Sequence, residues 1–464
     1  MPNAFASLAL VLWPAICVLI FVRLPPGRAL IASVLIGYLF LPPSPAGFDF
    51  PLVPELDKES ILALSALFAG LMTCRGRIRL WPESRAAQGL LAAFVLSPVL
   101  TVLTNPDPVI FGNVWLPGMR VHDMLGLVVA QAIALLPFVL ARSLLGDADD
   151  LRDLLAGFML AGLVYSLPML IEVRLSPQLN IWIYGFFQHS FDQMIRFGGY
   201  RPIVFLYHGL WVAFFMSTAV LAAVALARGA TGRRALALSV AAIYLLVVLV
   251  LCKSAAALLY AMALVPVIAV LGQRLQLSVA LLLAALAVSY PLLKGGGAVP
   301  EQALLSLAER VDENRADSLE FRFDNENALL DRASAKPLFG WGSWGRNLIY
   351  DPDTGRQVSV ADGEWIIAIG TFGWVGFLAE FGLLALPVLL LWRAGMAGAA
   401  PAGAGALALM LAVNLVDMLP NATITPLTWL VAGAVLGLAE RAGRSAQRAA
   451  LPGRARPEPL RTVL

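Results

Sequence analysis

Thirteen apolar runs follow one another along the chain, at about residues 5–22, 28–41, 60–74, 86–103, 122–141, 152–172, 203–226, 235–251, 254–271, 277–293, 366–391, 401–418 and 424–440. Most approach the ~20 residues an α-helix needs to cross about 30 Å of hydrocarbon, and they lack the ten-residue alternation of an outer-membrane barrel. The pattern predicts an all-α, polytopic helical membrane bundle of about 13 transmembrane helices. One intervening stretch, residues 294–361, is dense in Arg, Asp, Glu and Trp and too charged for hydrocarbon. The chain thus divides into ten spans over 1–293, a large loop over 294–361, three spans over 362–440, and a basic tail over 441–464 that is expected to be disordered.

Composition supports the class. A mean hydropathy of +0.80, with 59% hydrophobic and only 14% charged residues, lies outside soluble domains, whose apolar share is about 45–50%. The first residues, MPNAFASLAL, carry no basic residue ahead of the apolar run, so they read as a first span rather than a cleaved signal peptide. Cys17, Cys74 and Cys252 share no obvious soluble loop, which argues against a disulfide framework or a zinc site.

The net charge of +3 matters less than where the arginines fall. Alternate connectors carry Arg23 and Arg28; Arg75, Arg77, Arg79 and Arg85; Arg142 and Arg152; Arg228, Arg233 and Arg234; Arg274; Arg393; and the tail from Arg441. Such an excess marks the cytoplasmic side. The N-terminus is then expected outside and the C-terminus inside, with residues 42–59, 104–121, 173–202 and 294–361 on the extracytoplasmic face. No internal repeat or matched pair of broken helices points to a secondary transporter.

The candidate chemistry gathers on that outer face. The loop over residues 181–210 places Trp182, Tyr184, Phe186, Phe187, Phe191, Phe197 and Tyr200 around Arg196, Arg201 and His208. An interfacial aromatic belt with snorkelling arginines is one reading. The other is that Arg201, held by Pro202 at the mouth of a span, grips a phosphate through a two-pronged contact no lysine matches. His208, seven residues on, is either a packing group or a participant. Lys253 sits between two nearly continuous spans and is either a snorkelling cation or a ligand.

Within the large loop, residues 318–335 read as an amphipathic helix with Leu319, Phe323 and Leu330 on one stripe and Arg322 facing Glu326 one turn on. The loop carries more acids than bases, so an anion site must be built from selected arginines. Asp362 and Glu364, followed by Trp365, either cap the next helix or supply a general base. Tyr200, Trp341 and Trp365 are candidate faces for a sugar ring. Asp417, beside Asn414, is a further acid with no evident purpose. A Walker loop, dinucleotide fingerprint, metal-ligand cluster and nucleophile elbow are all missing.

Several of these landmarks together carry a resemblance. Arg322, then fourteen residues, then PLFGWG over 337–342 resembles the arginine-bearing helix and PxxGxG of the bacterial O-antigen ligases and O-antigen or exopolysaccharide polymerases. LCKSAAALL, RPIVFLYHGL and Gly373-Trp-Val-Gly376 resemble that family's other elements, and the similarity spans about residues 195–395. It implies a multispan glycosyltransferase of the GT-C type in the bacterial inner membrane, acting on its outer side on an undecaprenyl-pyrophosphate-linked glycan without metal, nucleotide or other cofactor. The implied pyrophosphate ligands are Arg201 and Arg322, with Arg196 and Lys253 beside them.

Where the ligases carry His-Asn eleven residues before the GxxG glycine, this chain has Asp362-Gly363. That departure points to a repeat-unit polymerase, with Asp362 or Glu364 as base and His208 as the remaining candidate. A ligase acting on a lipid A-core acceptor and a lipid-linked glycan flippase are the alternatives. A chain-length regulator or flippase of the same pathway is an expected partner, and nucleic acid is not.

Overall fold

The structure, a computed structural model, describes residues 1–50, 54–74, 76–196, 198–310 and 313–450. Arg75, Phe197 and the tail from residue 451 lie outside the described residues. Helices run in the order α1 (Ala4–Arg23), α2 (Pro26–Phe40), α3 (Lys58–Thr73), α4 (Arg85–Leu103), α5 (Val121–Ala134), α6 (Leu136–Leu144), α7 (Ala148–Leu175), α8 (Leu179–Tyr184), α9 (Gly209–Arg228), α10 (Gly232–Leu251), α11 (Ala255–Val270), α12 (Gln273–Gly295), α13 (Glu301–Glu309), α14 (Glu313–Ser334), α15 (Glu364–Met396), α16 (Ala404–Asp417) and α17 (Pro426–Ala450). Among the described residues, sheet is limited to three two-stranded hairpins and one isolated bridge.

Helix covers the greater part of every predicted apolar run. Eight segments are long and apolar enough to cross a membrane: α1, α4, α5 with α6, α7, α9, α10, α12 and α15. α2, α11 and α16 are shorter apolar helices. Rows of exposed aliphatic side chains, such as Leu160, Val164 and Leu167 on α7 and Leu236, Val240 and Ile243 on α10, face outward as they do in a helical membrane bundle.

Three runs depart from the expected continuous helices. The run over 203–226 starts its helix only at Gly209. Ile203, Val204, Phe205 and Leu206 are buried without being helical, and buried side chains satisfy their backbone. Glu172 accepts the Ile203 and Val204 N–H groups at 2.8 and 2.7 Å, Tyr165 accepts that of Phe205 at 3.1 Å, and Gln188 donates to the Val204 and Leu206 carbonyls at 3.0 Å each. An apolar run can leave the helix where such partners meet its polar groups. The run over 122–141 is divided at Leu135, next to Pro137, into α5 and α6.

The run over 366–391 is broken at Gly373, whose φ of 69° and ψ of −169° interrupt α15. The segment 337–342 fills the gap: Trp341 and Gly342 N–H groups donate to Gly370 and Thr371 carbonyls at 2.8 and 2.9 Å, while Trp374 and Val375 N–H groups donate to Pro337 and Leu338 carbonyls at 2.8 and 3.2 Å. Backbone groups orphaned by the break are thereby satisfied. Thr101 and Asn105 at the end of α4 then donate to the Phe339 and Gly340 carbonyls.

The expected disordered tail begins as helix, because α17 continues past Arg441 to Ala450. Ala and Arg are good helix formers, and Arg441 pairs with Asp147 at 3.2 Å while Arg444 pairs with Glu83.

Candidate active site

At the end of the bundle that carries the large loop, a cavity of about 700 Å³ opens between the start of α3, the loop before α9, α14 and the turn before α17. It collects Arg196, Arg201, His208, Arg322 and Asp362, five of the residues singled out from sequence, from two stretches more than 110 residues apart.

Arg201 is 8% exposed. Its N–H donates to the Met194 carbonyl at 2.7 Å, and its side chain lies so close to Gly209 that a Cβ there would come within 2.4 Å of it. One guanidinium nitrogen donates to the Lys253 carbonyl at 2.9 Å, while the buried Nε has no partner among the described residues. Burial, and then neighbouring Arg196, lower its pKa to about 10, so it stays charged at neutral pH. A buried, only partly bonded guanidinium is a prepared anion ligand.

Lys253 does not line the cavity. It adopts a positive φ of 52°, and its ammonium donates to the Arg196 carbonyl at 2.8 Å. It therefore staples the hairpin that pairs Ile195–Arg196 with Gly199–Tyr200, while its own carbonyl holds Arg201. Tyr200 packs obliquely on Phe191 in that hairpin and is not on the cavity wall.

His208, expected inside a span, is the N-cap of α9. Its Nδ1 accepts the Leu210 N–H at 2.9 Å, which places the proton of the neutral ring on Nε2, 3.3 Å from the Gln193 amide oxygen. Burial, His189 with its ring 4.5 Å away, and then Arg201 and Arg196 push its pKa down to about 4. The ring is therefore neutral at physiological pH and offers the cavity a donor rather than a lone pair.

Arg322 pairs with Asp362 at 3.7 Å, both groups being partly exposed. The expected partner, Glu326, faces α12 instead: it accepts the Tyr290 hydroxyl at 2.9 Å and lies 3.5 Å from Lys294. Packing of α14 on the end of α12 overrides the local one-turn pairing. Glu364 is buried as the first residue of α15 and is not on the cavity lining. Trp365 is fully buried and meets Tyr290 edge-on at 5.2 Å. Trp341 donates its indole N–H to the Arg332 carbonyl and carries Arg332 and Lys336 over its ring at 4.2 and 4.9 Å. Neither indole is open to a ligand in the cavity. The aromatic groups that line it are Tyr38, Tyr207 and Trp211.

Among the lining groups that the sequence reading also missed are Lys58, Glu59 and a polar floor. Lys58 is buried, donates to the Phe205 carbonyl at 2.7 Å and lies 5.4 Å from the Tyr38 ring centroid. The signal that singled out Lys253, a lysine at the edge of an apolar run, applied equally to it. Glu59 also lines the cavity, while its neighbour Asp57 caps α3.

The third is a polar floor. Buried Asp417 accepts the Asn421 amide N–H at 3.1 Å and the Thr423 hydroxyl at 2.9 Å. With those donors turned toward Asp417, Asn421 and Thr423 have carbonyl and hydroxyl lone pairs left for the cavity. The cavity thus combines cationic donors with an acceptor floor. No protein-family model and no curated protein matches this chain.

Proposed function

We propose that the chain is a polysaccharide repeat-unit polymerase of the bacterial inner membrane, transferring an undecaprenyl-pyrophosphate-linked glycan to an acceptor sugar hydroxyl on the periplasmic side. The observation that carries the reading is the convergence of Arg196, Arg201 and Arg322 with Asp362 in one cavity. A pyrophosphate needs charged forks, and a sugar hydroxyl needs acceptors, which the floor over Asp417 supplies.

In the proposed reaction the acceptor oxygen attacks the anomeric carbon of the donor, and the bond from that carbon to the pyrophosphate oxygen breaks. The hydroxyl proton passes to Asp362. Undecaprenyl pyrophosphate leaves with the bonding pair, and the arginines stabilise the charge that grows on its oxygens. His208 donates Nε2–H as an orienting group, a role its hydrogen bond to Leu210 favours over that of a base. Asp362-Gly363, in place of the ligases' His-Asn, supports polymerase over ligase.

Vesicles containing the purified protein and a lipid-linked repeat unit test the reading. A lengthened glycan on the polyprenyl lipid, with release of undecaprenyl pyrophosphate, is expected. Movement of the glycan to a different lipid makes the protein a ligase, and a change of sidedness alone makes it a flippase.

A further inference from the structure

The opposite, arginine-rich end of the bundle holds a second feature unconnected with that cavity. Between α7, α9 and α10 lies a hollow of about 660 Å³, whose lining includes Arg152, Arg228 and Arg234, one from each helix, and no Asp or Glu. Its other walls are largely apolar, among them Leu155, Leu226 and Ile268. An adjoining hollow of about 460 Å³ shares Arg152, Leu226 and Arg234 and adds Arg28, Met159 and Leu238 together with two acids, Asp149 and Asp153.

The arginines at this end are not equivalent. Arg28, Arg142, Arg441 and Arg444 pair with Asp153, Glu440, Asp147 and Glu83. Arg152 shares Asp149, an exposed carboxylate, at 2.9 Å. Among the described residues, no ion pair involves Arg228 or Arg234. Arg228 is instead held in place by the Ile268 and Leu271 carbonyls. Three cations from three helices therefore surround a hollow with no acid on its wall.

Apolar surface continues from there. α7 starts at this end and runs away from it, exposing Leu160, Val164 and Leu167. A water-soluble anion has no use for that track, whereas a molecule with a phosphate head and long hydrocarbon chains matches both parts.

We propose that this groove is a binding site for an anionic phospholipid, in which Arg152, Arg228 and Arg234 hold the headgroup phosphate and the exposed face of α7 carries the acyl chains. The test uses the full-length, delipidated protein in detergent, titrated with phosphatidylglycerol, phosphatidylcholine and glycerol phosphate. Phosphatidylglycerol should bind at least about ten-fold more tightly than phosphatidylcholine. The double variant Arg152→Gln/Arg234→Gln should lose that preference, and Arg152→Lys/Arg234→Lys should keep most of it. Equal binding of the two lipids by the unaltered protein, or an undiminished preference in a folded glutamine variant, overturns the site. Displacement of the lipid by millimolar glycerol phosphate also overturns it, in favour of a small-anion pocket. Should the glutamine variant fail to fold, the lipid comparison and the lysine variant decide.

Discussion

Asp362 and Glu364 stand two positions apart in the sequence, and only the first reaches the cavity. On the proposed chemistry, Asp362→Asn lowers turnover by about a hundred-fold or more, the usual contribution of a general base, with donor binding retained in a lipid-binding assay. Glu59→Gln and Glu364→Gln should each leave turnover within a factor of a few. A reversal of that order moves the base to Glu59 or Glu364. Arg201→Lys and Arg322→Lys keep the charge and lose the fork, so each should cut the rate about ten-fold or more, using roughly 1.5–3 kcal/mol for a charge-assisted hydrogen bond. Full activity in both lysine variants reduces these arginines to structural groups. His208 gives a pH signature. Its folded pKa of about 4 lies below the ordinary 6.5, so the unfolded chain takes up the proton first. The stability it contributes is complete above about pH 6.5 and declines as pH falls toward 4. Thermal unfolding in detergent should show that slope, and His208→Gln should flatten it.

At the scale of elements, PLFGWG and Gly373-Trp-Val-Gly376 are two halves of one joint. A Cβ on Gly340 would lie 2.5 Å from the Thr371 backbone and one on Gly373 2.3 Å from that of Leu338, both at positive φ. Gly340→Ala or Gly373→Ala adds about 1–2 kcal/mol of left-handed strain to a backbone collision. Each should lower the unfolding temperature and the yield of folded protein, and a variant as stable as the parent refutes the joint. The sequence showed both strings but not their meeting, since apolarity is continuous across Gly373 and its partner lies more than 30 residues earlier. The late start of α9 was hidden in the same way. Residues 203–208 look like any apolar run, and what keeps them out of a helix is Glu172 on another helix. Arg322 was legible as a candidate and does line the cavity, yet its partner was not legible, because the local rule pairs it with Glu326 and tertiary packing gives Glu326 to α12.

For the molecule as a whole, the helical membrane character was plain from hydropathy alone, since burial and lipid exposure both demand apolar side chains. The arginine distribution predicts the sidedness, and on that reading a periplasm-dependent reporter fused near residue 325 should be active, whereas one fused after Arg441 should be silent. The opposite result inverts the bundle and removes the glycan-polymer reading. The lining of the cavity was only half legible. Arginines announce themselves in an apolar sequence, but Asn421 and Thr423 become meaningful only through Asp417 beneath them. The contact between Arg322 and Asp362 has a kinetic consequence. Without a ligand, Arg322 and Asp362 face each other across the cavity. On the proposed chemistry, an arriving pyrophosphate competes for Arg322 and releases Asp362, so that donor binding prepares the base for the acceptor. Undecaprenyl pyrophosphate should then inhibit by engaging Arg322 in the donor's place, and Arg322→Gln should weaken that inhibition; inhibition unchanged in a folded variant removes the link between the two groups.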